Sequence, residues 1–388
     1  EYDNVVFDNT KGTFTIGGAP ATWSVANNRW ERSIVGPATP QLASYPPAHS
    51  DTTYGITASN NVAGTQSIIW DRVKITAGGV SDSRCDYGST QIVWFTAVYE
   101  YDSATFDGSK GTLYVNGSAM TWNAGNSRWE KTYAYPAVAK YNFKISSVSD
   151  STYGLTVIND VAGVKSIIWD RIKITSKGVT DSRVDVGTST TVYFTAVYEY
   201  DNTVFANNAT GQVLKINGTN ASWLNNRWEL TVSQVSVGSW VYQANAIVDN
   251  LYGLTVINDA VGVQQVIWDR VQVTLSVPKT RINIGESHSI TYTGKYEYDG
   301  ATWTGQATLN DTNTAYSTVG KRGFKVVSIT DPVYGLSAFV SNEVSVIWDR
   351  VQYVTGGVSN ARADVGSTQT IWYTAKYEYD NVVFDNTK

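Results

Sequence analysis

Two short strings recur along this chain, and both hold residue types that can carry chemistry. Ile-Trp-Asp-Arg supplies Trp70, Asp71 and Arg72, then Trp169, Asp170 and Arg171, then Trp268, Asp269 and Arg270, and finally Trp348, Asp349 and Arg350. An indole beside an ion-pairing couple could line a ligand-binding face. On a strand, however, alternate side chains share a face, so Trp and Arg point one way and Asp the other. That reading makes Trp a core anchor and pairs Arg with a recurrent acid such as Glu100 or Asp150. The second string, Arg-Trp-Glu, carries Trp30, Trp129 and Trp228. These are candidate surface aromatic contacts: caps over each domain, packing against a neighbouring subunit, or platforms for sugar rings.

Catalysis needs a nucleophile, a base and an orienting group, or two carboxylates with separated pKa values. The two histidines, His49 and His288, fall at unrelated positions of the repeat. The acids recur in every domain, which points to structural duty, so no catalytic residue and no cofactor are expected. Calcium at domain joints requires several clustered oxygens. Asp82 with Asp86, and Asp181 with Asp185, are suggestive. The third domain offers only Asn283 at these positions, and the fourth Asn360 and Asp364, so no metal site is expected. A crosslink between a lysine and an asparagine or aspartate needs both groups and a catalytic acid buried together. Lys74 and Lys173 sit in the right sort of strand, but Gln272 and Gln352 replace them elsewhere, which argues against a crosslink in every domain. Cys85 takes the place of Val184, Ile282 and Ala363 and reads as a small core residue. Five sequons, at Asn116, Asn208, Asn217, Asn220 and Asn310, are glycosylation candidates if the chain is extracellular.

These residues are carried by a long repeat. The Ile-Trp-Asp-Arg tryptophans are spaced by 99, 99 and 80 residues, and Glu-Tyr-Asp begins at Glu1, Glu100, Glu199, Glu297 and Glu378. Tyr-Gly recurs at Tyr54, Tyr153, Tyr252 and Tyr334, each three residues after an aspartate (Asp51, Asp150, Asp249, Asp331). An arginine precedes a glycine by four residues at Arg84, Arg183, Arg281 and Arg362. A period near 100 residues is too long for a solenoid and fits tandem domains with separate cores.

Within a period the pattern is of strands. Thr190–Tyr200 is β-branched and aromatic, and turn residues Asp201 and Asn202 follow it. Asn116-Gly117 signals a tight hairpin. Tyr153–Ile158 and Val164–Thr175, around Asn159–Gly163, read as a second hairpin. Helical periodicity is absent. About seven short strands in roughly 100 residues is the pattern of an immunoglobulin-like sandwich. The fold class expected is therefore all-β, with immunoglobulin-like sandwiches in a head-to-tail linear array.

Composition agrees and excludes much else. Hydrophobic residues at 42% can build cores, and Tyr at 25 and Trp at 14 supply them with few charges. A net charge of −5 offers phosphates no attraction, so no nucleic-acid partner is expected. One cysteine excludes a disulfide framework within the chain. No apolar run is long enough to cross a membrane as a helix.

The domains expected are 1–77, lacking its N-terminal strands; 78–176; 177–275; 276–355, shortened and without the Arg-Trp-Glu hairpin; and 356–388, the first strands of a further domain or a donor strand. The loss in the fourth should leave a notch or a flatter surface. Residues 1–11 and 378–388 are identical, at an offset of 377 residues. This reads either as a stretch of a longer array with that super-period, or as a tail that completes the first domain of the next subunit by strand addition. Both imply a head-to-tail polymer of the chain with itself.

The strings Val365–Asp380 (V-G-S-T-x-T-I-W-Y-T-A-K-Y-E-Y-D), Asn116–Trp122 (N-G-S-x-x-T-W) and Tyr153–Thr175 carry a resemblance over essentially the whole chain. They resemble tandem immunoglobulin-like repeats of large archaeal and bacterial cell-surface proteins of surface-layer-associated, adhesin or filament type. The resemblance implies an extracellular or cell-surface address. The function expected is a structural segment of an extracellular filament, sheath or appendage. The alternative is a surface adhesin or glycan-binding repeat protein, and a third reading is an accessory region of a carbohydrate-active enzyme. Partners expected are the chain itself and lateral filament or glycan contacts.

Overall fold

Alternating β-branched and aromatic residues, broken by Gly and Asn, build strands and nothing else: the described residues contain no helix. The computed structural model describes residues 5–207 and 211–387. It divides into two compact units. One comprises the chain up to Arg171 with Glu199–Asp201 and Tyr252–Leu254; the other comprises Ile172–Tyr198, Asn202–Leu251 and Thr255 onward.

The first unit contains a complete sandwich. Its larger sheet has the order Thr121–Asn123, Arg128–Ala134, Thr90–Tyr99, Val73–Val80, Ile158–Asp160. Opposite lie two three-stranded sheets, Ala139–Phe143 with Lys165–Asp170 and Arg84–Asp86, and Ser118–Ala119 with Gly111–Val115 and Ile145–Asp150. Strand Thr90–Tyr99 alternates strictly from Val93, so that Val93, Phe95, Ala97 and Tyr99 face inward. They meet Phe106, Leu113, Trp129, Ile167 and Trp169 in one core. Each large side chain so buried contributes about 1.5–3 kcal/mol. The same unit also holds residues 12–70, with strand Gly12–Ile16 paired to Pro47–Asp51 and Gln41–Tyr45 to Gln66–Trp70.

The second unit repeats the sandwich over 172–269, with the corresponding order Ser222–Leu224, Arg227–Ser233, Ser189–Tyr198, Ile172–Val179, Ile257–Asp259. Trp228, Trp268, Phe194 and Phe205 are its fully buried rings. A smaller module follows over 271–349, with a four-stranded sheet in place of five. Trp303, on the two-residue strand Thr302–Trp303, is 4% exposed and stands where Phe106 and Phe205 stand in the two larger sandwiches, six residues after the Glu of Glu-Tyr-Asp. The module carries a shallow depression between Tyr292, Leu309 and Asn313. A two-stranded sheet, Val351–Val358 with Ile371–Tyr377, ends the unit.

These sandwiches, successive along the chain, are immunoglobulin-like. Two sequence expectations need correction. Residues 153–175 do not form a hairpin: Ile158–Asp160 pairs in parallel with Val73–Val80, while Lys165–Asp170 pairs with Ala139–Phe143 in the other sheet. The segment is a crossover between layers, and alternation alone does not distinguish a crossover from a hairpin. The strand after each Ile-Trp-Asp-Arg belongs to the following sandwich. Val73–Val80 pairs along its whole length with Thr90–Tyr99, so the break falls at the Arg and not near Ala77-Gly78. Asn116-Gly117 is the expected tight turn, with φ of 48° and 79°.

Candidate functional site

The Asp of Ile-Trp-Asp-Arg ends the last strand of one sandwich, and its carboxylate is the nucleus of the site. In the second unit Asp269 is fully buried. Its Oδ1 accepts the backbone N–H of Arg270 at 2.8 Å and of Tyr298 at 2.9 Å. Its Oδ2 accepts Nε and Nη2 of Arg183 at 3.0 and 2.5 Å. Four donors thus satisfy a buried anion. The remaining face of the guanidinium is used as well. Arg183 Nη1 donates to Asp299 at 2.9 Å, and its Cζ lies 4.3 Å from the Tyr334 ring centroid and 4.6 Å from that of Tyr296. Burial alone would lower the Arg183 pKa, but the bonds to Asp299 and Asp269 outweigh it and raise it. Asp299 is held below its usual range, chiefly by the bond from Arg183.

Arg183 and Asp269 belong to the sandwich over 172–269, whereas Tyr296, Asp299 and Tyr334 belong to the module that follows. The cluster is therefore an arginine clamp across a module joint. Tyr296 and Tyr334 are themselves fixed. The Tyr296 hydroxyl donates to Asp331 at 2.7 Å, and Asp331 also accepts the N–H groups of Val333, Tyr334 and Leu336. Beside the clamp, Asp185 accepts the N–H groups of Ser337 and Ala338 at 2.9 and 2.8 Å and the Ser337 hydroxyl at 2.6 Å.

The first unit contains the same cluster. Arg84 donates to Asp170 through Nε and Nη2 at 3.0 and 2.6 Å, donates to Asp201 at 2.9 Å, and lies 4.3 Å from the Tyr252 centroid. The third copy, in the second unit, is looser. Arg281 Nη1 is 3.6 Å from Asp349, its Nη2 bonds Asp380, and its side chain is 31% exposed. Each Ile-Trp-Asp-Arg arginine meets the Glu of the next Glu-Tyr-Asp. Arg72 pairs with Glu100, Arg171 with Glu199, Arg270 with Glu297 and Arg350 with Glu378. In each case the Glu N–H also donates to the Arg carbonyl.

The remaining sequence candidates are placed as follows. Trp169, Trp268 and Trp348 are fully buried and Trp70 partly so. Their indole N–H groups donate to Ser89, Thr188 and Glu286 carbonyls and to the Tyr45 hydroxyl respectively. Asp71 accepts the N–H groups of Arg72 and Tyr101. Trp129 and Trp228, considered as surface contacts, are 2% and 0% exposed, and Trp30 is half-buried. Arg and Glu flank each Trp and face outward, so Trp must face inward, where its N–H donates to the carbonyl of Phe106, Phe205 or Phe7. The outer face is instead guanidinium over ring, with Arg128 on Trp94 and Arg227 on Tyr193.

Asp82 and Asp181 cap the turns before Arg84 and Arg183. Among the described residues no group of three or more His, Cys, Asp or Glu is gathered as a metal site. Cys85 is 3% exposed, and burial pushes its thiol pKa up. Asn116, Asn217 and Asn310 use their side-chain amides to close turns, bonding the carbonyls of Asn142, Val241 and Gly323. Asn220 is exposed on the short strand Thr219–Asn220, and Asn208 lies outside the described residues. The clamp residues Arg84, Arg183 and Arg281 had a visible signal, the Arg-x-x-x-Gly repeat. Nothing local said which acid each would meet.

No known protein family and no curated relative matches the chain. Among solved structures it is similar to FdeC, an Escherichia coli adhesin, at 14% identity over 70% of this chain and 96% of that one, with a TM-score of 0.25. It is similar to invasin, a bacterial integrin-binding protein, at 9% identity over 90% of this chain and 75% of that one, with a TM-score of 0.29. It is also similar to the I67–I69 fragment of the titin I-band, at 8% identity over 71% of this chain and 100% of that one, with a TM-score of 0.30.

Proposed function

We propose that the chain is a stretch of a cell-surface stalk of the adhesin kind, a non-enzymatic protein whose tandem modules supply reach and stiffness. The observation that carries this reading is the arginine clamp. A guanidinium 7% exposed, bonded to two carboxylates and packed on tyrosines of the following module, has no freedom to let a joint swing. Long flexible reach is served by Gly/Ser linkers, and a buried ion pair at a joint serves the opposite end. Lateral or glycan contacts would use surfaces other than Trp129 and Trp228, which lie in cores.

The filament reading remains the second one. Val358, Ile371 and Tyr373, on the strands ending the second unit, are 46%, 66% and 69% exposed. In this proposal continuation of the array covers them, whether within a longer chain or by a second copy adding head to tail. The test is the bending of single molecules by electron microscopy and the labelling of intact source cells by antibody to the chain. Stiff joints that loosen in Arg183→Ala, together with surface labelling, support the stalk. Joints equally flexible with and without Arg183 sink it.

A further inference from the structure

The arginine clamp has three copies, and its acidic half occurs a fourth time without an arginine. Asp71 Oδ1 accepts the N–H groups of Arg72 and Tyr101 at 2.8 and 2.9 Å, just as Asp170 Oδ1 accepts those of Arg171 and Tyr200. In Asp170 the second oxygen takes two nitrogens of Arg84. Among the described residues nothing donates to Oδ2 of Asp71. Beside it stand Tyr101, Asp102 and Tyr153, the counterparts of Tyr200, Asp201 and Tyr252 that surround Arg84. With Ile69 they line an open cavity of about 410 Å³, and Tyr153 is 69% exposed.

A strand is missing at the same place. Arg84–Asp86 pairs in parallel with Lys165–Asp170, which sets Arg84 opposite Ile168. Arg183 stands opposite Ile267 and Arg281 opposite Ile347 in the same way. Among the described residues Gln66–Trp70 pairs only with Gln41–Tyr45, so its other edge is open beside Ile69. Trp70 registers the difference. The other three indoles donate to carbonyls just beyond the parallel strand, at Ser89, Thr188 and Glu286, whereas Trp70 donates to the Tyr45 hydroxyl.

The chain also carries the matching piece. Arg362, the fourth arginine of the Arg-x-x-x-Gly repeat, lies between strands Val351–Val358 and Ile371–Tyr377. Its side chain is exposed and meets no acid among the described residues. Its N–H donates to Asn360 at 3.1 Å, as that of Arg84 donates to Asp82 at 3.0 Å, so the turn that presents the arginine is already formed.

We propose that Asp71, Asp102 and Tyr153 form a guanidinium socket, filled by Arg362 of a second copy of the chain. Residues 362–364 add in parallel to the open edge of Gln66–Trp70, with Arg362 opposite Ile69. Nε and Nη2 then bond Asp71 Oδ2, Nη1 bonds Asp102, and Tyr153 covers the guanidinium face. The inference rests on the head-to-tail reading of the array and names the contact by which one copy meets the next.

The test is sedimentation of the full chain across a range of concentrations, beside two variants. Arg362→Ala removes the exposed guanidinium, and Asp71→Asn removes the charge while keeping the Oδ1 acceptor. Each should weaken association roughly thirtyfold or more, with tryptophan fluorescence checking that the variants fold. The decisive sample is their mixture. An Arg362→Ala chain keeps its socket and an Asp71→Asn chain keeps its arginine, so together they should form heterodimers that grow no further. A mixture no more associated than either variant alone overturns the proposal. If the unaltered chain associates and both variants match it, the socket is wrong and the head-to-tail reading stands. An unaltered chain that stays monomeric throughout overturns the socket and head-to-tail addition of copies together.

Discussion

Arg183 and Asp269 stand 86 residues apart in sequence and form a buried pair in which Nε and Nη2 both reach Oδ2. Both side chains are almost wholly withdrawn from water, at 7% and 0% exposure. Removing one partner of such a pair leaves a buried charge unanswered and costs about 3–5 kcal/mol. Arg183→Ala should therefore lower stability by that order in denaturant unfolding.

Arg281→Ala should cost less, about 1 kcal/mol or below, because that guanidinium is 31% exposed and 3.6 Å from Asp349. Equal losses at the two positions, read from unfolding midpoints, would contradict the graded clamp.

Trp129 and Trp228 are core residues, so truncation should unfold their modules rather than remove a binding surface. Trp129→Ala and Trp228→Ala should each cost about 3–5 kcal/mol. Trp23 packs edge-on against the half-buried Trp30, and Trp30→Ala should cost less than either. Thermal unfolding of the three variants orders them.

The Tyr99–Asp150 hydrogen bond, 2.9 Å long, sets a pH window. Burial, with Asp150 nearby, raises the Tyr99 pKa from 10.0 to about 12. A raised folded pKa means the contribution is intact below pH 10 and disappears as the pH rises toward 12. Burial pushes Asp150 upward, but hydrogen bonds from Thr152, Tyr99, Leu155 and Tyr153 prevail and lower it below 3.8. Its contribution is present above that value and is lost as the pH falls through the folded pKa. Stability should thus be flat across neutral pH and fall at both extremes, and Tyr99→Phe should shrink the alkaline limb, to which the half-buried Tyr133 and the buried Tyr296 also contribute. Absorbance titration of tyrosine beside unfolding curves measures both.

Sequon geometry predicts unequal glycosylation. At Asn116, Asn217 and Asn310 the side-chain oxygen also accepts a backbone N–H, from Lys144, Gln243 and Lys325. A glycan there must break a turn. Asn220 is under no such constraint, and in a glycosylating host its occupancy should exceed that of those three. Glycopeptide mass spectrometry reads the ratio, and preference for Asn217 over Asn220 would count against the argument.

Much of this molecule was legible in its residues because its signals are local and repeated. Ile-Trp-Asp-Arg, Glu-Tyr-Asp and Asn-Gly each announce a strand end or a turn by their own steric and hydrogen-bonding preferences, and their recurrence marks tandem sandwiches. That Arg72 would meet a recurrent acid was legible, but not that Glu100 rather than Asp150 would be that acid. The inward face of Trp129 could have been read from the Arg and Glu beside it. Which carboxylate Arg183 would meet was not legible, because Asp269 arrives from a strand 86 residues away. Nor was the crossing of residues 158–170 from one sheet to the other, because alternation specifies which side chains are buried and not which strand lies alongside. Those choices belong to tertiary structure: only when two sheets close over one core does a strand edge find its neighbour, and only then do Arg183, Asp269 and Asp299 come within reach of one another.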